Sequence, residues 1–89
     1  MPTRISYKAS VERDLRRLEP KAVARVLRAV ESTLGMPGHK DAALSGEFAG
    51  LYRLRIGDYR VVYAHTEDGY LVLRIAHRRD VYRKGRPAT

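Results

Sequence analysis

The stretch from Leu51 to Ala64 leaves the chain few alternatives. Tyr52, Leu54 and Ile56 alternate with Arg53 and Arg55, Gly57-Asp58 follows, and Tyr59-Arg60-Val61-Val62-Tyr63-Ala64 completes the run. Period-2 alternation marks a strand with one face in the core and one face out. A two-residue Gly-Asp connection between two such runs predicts a tight hairpin, because Gly supplies the positive φ that a short loop of this hand requires. That loop length sets the register: Ile56 opposite Tyr59, Arg55 opposite Arg60, Leu54 opposite Val61 and Arg53 opposite Val62. Tyr52, Leu54, Ile56, Tyr59, Val61 and Tyr63 then share one face. Arg53, Arg55, Arg60 and Val62 share the other. A longer loop or a bulge would shift this register and separate Arg55 from Arg60.

The second face is unusual. Like charges directly opposite one another destabilise a sheet by a few tenths of a kcal/mol, up to ~1, and a face that had only to stay soluble is better served by mixed signs. Two readings follow: a solvated outer face with arginines spaced by water, or a pocket for a polyanion such as a phosphate backbone. Composition bears on the choice. The 89 residues carry 18 Lys and Arg against 10 Asp and Glu, a formal net charge of +8 with a pI near 10.3. Such a balance calls for an acidic partner, whether nucleic acid, an acidic protein or an anionic surface. The length predicts one domain with one modest core. The chain contains no cysteine, which removes disulfides and thiolate chemistry and is consistent with a cytoplasmic protein. No apolar run is long enough to span a bilayer, and no signal-peptide pattern opens the sequence. His39, His65 and His77 match no metal-ligand spacing, so neither a metal nor another cofactor is expected.

The rest of the chain supplies partners for the hairpin. Thr3 to Lys8 is a candidate first strand with Ile5 and Tyr7 on one face. Ser10 is placed to cap a helix whose Val11, Leu15 and Leu18 form an apolar stripe. Arg13, Asp14, Arg16 and Arg17 occupy the other faces. Pro20 opens a second helix, with Val23, Val26, Leu27, Val30 and Leu34 on one side and Gly35 as its stop. Two helices this closely joined are expected to lie antiparallel and to cover the apolar face of the hairpin. The segment 38–50, with Leu44 and Phe48 as anchors, reads as an ordered loop. Glu67-Asp68-Gly69 marks a turn. Tyr70 to Ala76 is a central strand buried on much of both faces, and Gly85 to Thr89 a frayed tail.

After that strand come His77, Arg78, Arg79, Asp80, Val81, Tyr82, Arg83 and Lys84. Basic side chains interleaved with an aromatic suit RNA: arginine forks onto phosphate and tyrosine stacks on an unpaired base. The alternative is a solvated end segment with Val81 and Tyr82 tucked against the core. If the last strand pairs beside Tyr59–Ala64, its end could approach the arginine face, so that the arginines, His77 and Tyr82 form one site.

Taken together, Leu44 and Gly46 in the loop, the run Arg53-Leu54-Arg55-Ile56-Gly57-Asp58-Tyr59-Arg60-Val61-Val62-Tyr63 and the ending His77-Arg78-Arg79-Asp80-Val81-Tyr82 resemble the RelE/ParE superfamily of bacterial toxin–antitoxin systems, and within it the RelE-like mRNA interferases. The resemblance spans the chain. It implies a single toxin domain over residues 1–89 with an α+β fold: two N-terminal antiparallel helices packed on one face of a small, mainly antiparallel twisted sheet, the other face being functional. It implies a ribosome-dependent endoribonuclease that cuts mRNA without a metal, by attack of a 2′-hydroxyl on the adjacent phosphate, and a cognate antitoxin that masks the basic surface. No small-molecule cofactor and no membrane enter this scheme.

Position by position, the resemblance implies that Arg53 and Arg55 stand where the best-studied branch usually has lysines that contact the phosphate and help activate the nucleophile. Arg60 matches a phosphate-binding, transition-state-stabilising arginine, Arg78 a phosphate ligand or general acid, and Tyr82 a tyrosine that orients the RNA. Arg74, Arg79, Arg83 and Lys84 are further candidates for RNA contact. The departure lies at 53 and 55, because arginine stays charged and takes no proton near neutrality. Imidazole is the side-chain type suited to exchange a proton near neutrality, so proton transfer falls to His77, to Tyr82 or to groups of the ribosome; a structural hydrogen-bonding role at the strand end is the other reading of His77. Two further functions fit the same fold: a ParE-like inhibitor of DNA gyrase, and a non-catalytic nucleic-acid- or antitoxin-binding member.

Overall fold

A computed structural model describes residues 3–81. Its elements run β1 (Arg4–Tyr7), α1 (Ser10–Arg16), α2 (Pro20–Leu34), β2 (Ala42–Ala43), a 3-10 turn (Gly46–Phe48), β3 (Tyr52–Ile56), β4 (Tyr59–Thr66) and β5 (Gly69–His77). The strands form one sheet in the order β1-β5-β4-β3-β2. All neighbours are antiparallel except β1 and β5, which pair in parallel; the two helices carry the chain from β1 at one edge of the sheet to β2 at the other. Tyr82, Arg83, Lys84 and the tail 85–89 lie outside the described residues.

The hairpin register is the one that a two-residue loop dictates, from Ile56↔Tyr59 through Arg55↔Arg60 to Tyr52↔Tyr63. Gly57 takes φ +58 at the turn. The apolar face of β3, β4 and β5 is covered by helices, α1 lying against β5 and α2 against β3. Val11, Val26, Val30, Leu34, Val61, Tyr63, Val72 and Ile75 form its buried centre, flanked by Ile5, Tyr7, Leu15 and Leu27.

Three local features depart from the sequence expectation. Ser10 is the first helical residue and Ala9 the N-cap, with no side-chain cap bond; the helix closes instead through Val11 N–H to Lys8 C=O (2.9 Å) and Glu12 N–H to Ala9 C=O (3.3 Å). Asp14, expected on an outer face, turns inward and its Oδ2 accepts from Ile75 N–H at 3.0 Å. This replaces a strand: β1 stops pairing at Tyr7↔Val72, and the carboxylate satisfies a β5 donor beyond that point. Finally, the loop 38–50 contributes a two-residue edge strand, Ala42 and Ala43 pairing with Arg53 and Tyr52.

One irregularity decides what β5 presents on each face. Val62 pairs with Arg74, whereas Tyr63 pairs with Val72. Leu73 is therefore an extra residue, a bulge that lets both Val72 and Ile75 enter the helix-side core although they are an odd number of residues apart.

Candidate nucleic-acid interface

The face turned away from the helices is built from two rows across the sheet. One runs Arg53–Val62–Arg74 and the other Arg55–Arg60–Ala76. Cross-strand partners share a face, so Arg53, Arg55, Arg60 and Arg74 are brought together. Val62 between them is fully buried and stands outside the helix-side core cluster. Val81 is likewise fully buried, as the tucked-end reading of the C-terminal segment anticipates for that residue. Arg74 Nη2 donates to the Asp80 carbonyl at 3.3 Å, so the segment after β5 lies beside this face.

The electrostatics of this face are lopsided. None of Arg53, Arg55 and Arg60 has a carboxylate partner among the described residues. The Nε–H groups of Arg53 and Arg74 are buried and have no acceptor among the described residues. A buried N–H donor without a partner is costly, by roughly 1–3 kcal/mol and more when charged. Arg60 is held differently: its Nη1 donates to the carbonyls of Gly57 and Tyr59, both at 2.9 Å, which fixes the guanidinium at the hairpin turn. Arg78 joins it there. Its backbone N–H donates to the Asp58 carbonyl at 2.7 Å, and its Nε lies 3.9 Å from Asp58 Oδ1 in an exposed pair. Arg79 is exposed.

His77 is not part of this group. It pairs with Tyr59, a residue of the helix-side face, and the two rings meet edge to face at 5.8 Å. Its Nδ1 accepts from Arg79 N–H (3.2 Å) and its carbonyl from the N–H groups of Asp80 and Val81. The physical reason is register, since Tyr59 and Arg60 alternate across the sheet and His77 follows Tyr59. The arginine face thus holds, among the described residues, no side chain that titrates near neutrality.

Two groupings had no signal in the sequence. The first is Arg25, an exposed residue of α2 whose guanidinium reaches the β3–β4 turn and occupies the space into which a side chain at Gly57 would grow. The second is a polar network on the helix side at the far end of β4. Tyr63 Oη donates to Asp41 Oδ1 (2.6 Å) and His65 Nε2 meets Asp41 Oδ2 (2.6 Å). His39 Nε2 lies 2.9 Å from Tyr63 Oη. The tyrosine has one hydrogen and spends it on Asp41, so both imidazoles donate through Nε2. Burial pushes the Tyr63 hydroxyl far above its ordinary value, reinforced by the bond to Asp41. Burial works to raise Asp41 too, but the bonds from Tyr63 and His65 and the nearby histidine charges hold it below the usual carboxylate range. His39 and Tyr63, and likewise Asp41 and His65, are 24 residues apart, a separation that no local pattern relates. No group of three or more His, Asp or Glu side chains is arranged to hold a metal ion among the described residues.

A five-stranded sheet with two helices on one face and clustered arginines on the other defines a class, the small α+β toxins of the RelE/ParE type. The family described as the ParE toxin of type II toxin–antitoxin systems, parDE, matches residues 5–82, and the chain belongs to it. Toxin RelG of Mycobacterium tuberculosis (strain ATCC 25618 / H37Rv) is 31% identical over 87 residues, covering 94% of this chain and all of RelG. Toxin RelE of the same organism is 36% identical over 77 residues, 85% of this chain and 78% of that toxin. Among solved structures, the RelBE2 toxin–antitoxin complex of M. tuberculosis superposes with a TM-score of 0.76 at 28% identity, covering 86% of this chain and 99% of the matched one. The RelB–RelE complex of Methanococcus jannaschii shares the fold, with a TM-score of 0.66 at 18% identity over 91% of this chain and 99% of that one.

Proposed function

We propose that this toxin is a RelE-like mRNA interferase whose arginine face receives the cleaved strand, and that a cognate antitoxin masks that face until it acts. The observation that carries this reading is the pair of buried Nε–H groups of Arg53 and Arg74, on either side of Val62, that find no acceptor among the described residues. Donors so placed call for an anionic acceptor, and a phosphodiester supplies two oxygens that suit the planar fork of a guanidinium. Partner antitoxins in the solved RelBE2 and RelB–RelE complexes support the second half of the proposal.

In the proposed reaction the 2′-oxygen of one nucleotide bonds to the adjacent phosphorus and the bond to the 5′-oxygen of the next nucleotide breaks. The 2′-hydroxyl loses a proton and the leaving 5′-oxygen gains one, giving a 2′,3′-cyclic phosphate and a 5′-hydroxyl. Negative charge grows on the non-bridging oxygens at the pentacoordinate stage. Arg60, already fixed by two carbonyls, is preorganised to meet it, with Arg53, Arg55 and Arg78 supplying further positive charge. Proton transfer belongs to Tyr82 or to the ribosome, since arginine does not serve as a base and His77 faces the helices.

The test is primer extension on a reporter mRNA in a bacterial translation extract. The wild-type chain is expected to produce new in-frame ends that require ribosomes. Arg60→Ala is expected to lower cleavage about 10²–10³-fold, the usual effect of removing one transition-state donor; Arg60→Ala combined with Tyr82→Phe abolishes it. His77→Ala leaves it unchanged. One competing reading, gyrase inhibition by contact, needs no proton-transfer group and fits an arginine face that holds, among the described residues, no side chain that titrates near neutrality. Intact mRNA together with loss of DNA supercoiling would replace the proposal with it.

A further inference from the structure

The exposed stripe of α2 carries Lys21, Arg25 and Arg28, spaced four and three residues apart and so on one face. None of the three has an ion pair or hydrogen bond among the described residues. The carboxylate one turn further along, Glu31, is occupied by the Tyr7 hydroxyl at 2.7 Å. The stripe carries no large apolar side chain: Ala24, Glu31 and Ser32 are its other exposed members. The apolar groove beside Tyr7, Val11, Leu15 and Leu27 is also lined by Lys8, Glu12 and Glu31.

The stripe does not end on the helix. Arg25 crosses from the helix layer to the β3–β4 turn and lies against Gly57. Arg60 and Arg78 hold the same turn from the sheet side. Cations from α2, from β4 and from the segment after β5 therefore surround one hairpin tip and join the arginine face to the outer surface of α2.

We infer that the nucleic-acid-binding surface continues around the β3–β4 turn onto α2, where Lys21, Arg25 and Arg28 grip the sugar-phosphate backbone of folded RNA outside the cleaved strand. This rests on the RNA-directed reading of the arginine face. The axial span of Lys21 to Arg28 is about 10 Å at the usual helix rise, a length over which a duplex presents several phosphates. Charge without an apolar anchor fits backbone contact, whereas a docked protein segment needs a desolvated anchor at its centre. The site is a positioning surface: it holds the toxin on its RNA and touches no reacting atom.

The experiment measures fluorescence anisotropy of the full chain on a 16-base-pair RNA duplex across KCl concentration. Three variants are compared: Lys21→Gln/Arg25→Gln/Arg28→Gln, an equal-charge control Arg13→Gln/Arg16→Gln/Arg17→Gln on α1 and its C-cap, and Arg53→Gln/Arg60→Gln. Thermal melts establish that each is folded. The α2 variant is expected to bind at least tenfold more weakly near 0.1 M salt, with a log–log salt slope reduced by roughly 2–3, since each lost phosphate contact removes about 0.9. The α1 control is expected to retain most of the affinity. Equal losses in the two triple variants overturn the inference, because they report only net charge. So does an α2 variant that keeps its duplex affinity but loses binding to a poly-glutamate peptide, which assigns the stripe to an acidic protein. The cleavage assay separates this from the activity: a chain that cuts no mRNA but shows the α2-specific loss refutes the interferase reading and leaves the backbone site standing.

Discussion

Gly57 meets two demands at one residue. Its φ of +58 is left-handed, a conformation that costs a side chain ~1–2 kcal/mol, and the Arg25 guanidinium fills the direction in which a Cβ would project. Asparagine tolerates such a φ better than alanine, but the Cβ of either would push the flexible Arg25 guanidinium aside. Gly57→Ala is expected to lower stability by about 1–2 kcal/mol in urea denaturation and to displace Arg25 from the turn. The displacement is read as a partial loss of duplex affinity in the direction of Arg25→Gln. If Gly57→Ala weakens the fold while duplex binding stays at the wild-type level, Arg25 takes no part in binding. His77 is the opposite case. Its chemistry suits a proton relay, but its register places it beside Tyr59 on the helix side.

At the scale of elements, the seven-residue α1 is too short to be stable by itself. What holds it is burial of Val11 and the bond from Ile75 N–H to Asp14 Oδ2 at 3.0 Å. Asp14→Ala strands that amide at the point where β1 no longer covers β5. The expected cost is about 1–3 kcal/mol, with faster hydrogen exchange at Ile75; Asp14→Asn retains an acceptor and recovers part of the loss. An unchanged urea midpoint for Asp14→Ala would mean that water satisfies the amide equally well. Gly69, where β5 begins, is a further constraint between elements: the backbone of Arg4 in β1 lies where its side chain would be.

For the whole molecule, the Asp41 network makes stability depend on pH at both extremes. Asp41 is held below its ordinary value of 3.8. Its contribution is complete above that pH and is lost as pH falls through the folded value. Tyr63 is raised above its ordinary value of 10.0, so its contribution is intact below that pH and is lost as pH climbs through the folded value. Urea midpoints measured across pH are expected to fall below about pH 4 and above about pH 10. Asp41→Asn flattens the acid limb, and Tyr63→Phe flattens the alkaline limb in part, since burial and the bond to Glu31 raise the Tyr7 hydroxyl as well. A wild-type curve as steep as that of both variants would show that the network is not coupled to folding. Among the described residues no helix is long and apolar enough to cross a membrane.

What the sequence determined by itself was local. The alternation of Tyr52, Leu54 and Ile56 with Arg53 and Arg55, closed by Gly57-Asp58, prescribed the hairpin, its register and the opposition of Arg55 and Arg60, because a two-residue turn leaves no freedom in the pairing. Helical spacing and Pro20 likewise gave the extent of α2 and its buried face. Ala42 and Ala43 were too short a pair to carry periodicity. The tertiary structure decided the rest. The bulge at Leu73 placed Arg74 beside Val62, and the pairing of β5 with β4 sent His77 to the helix side. A side chain's face at a strand end depends on its neighbour's register, and no pattern within β5 alone contains it. Arg25 against Gly57 and Asp41 between Tyr63 and His65 are contacts between distant segments. They exist only because the helices pack on the sheet, and packing joins residues that sequence spacing does not relate.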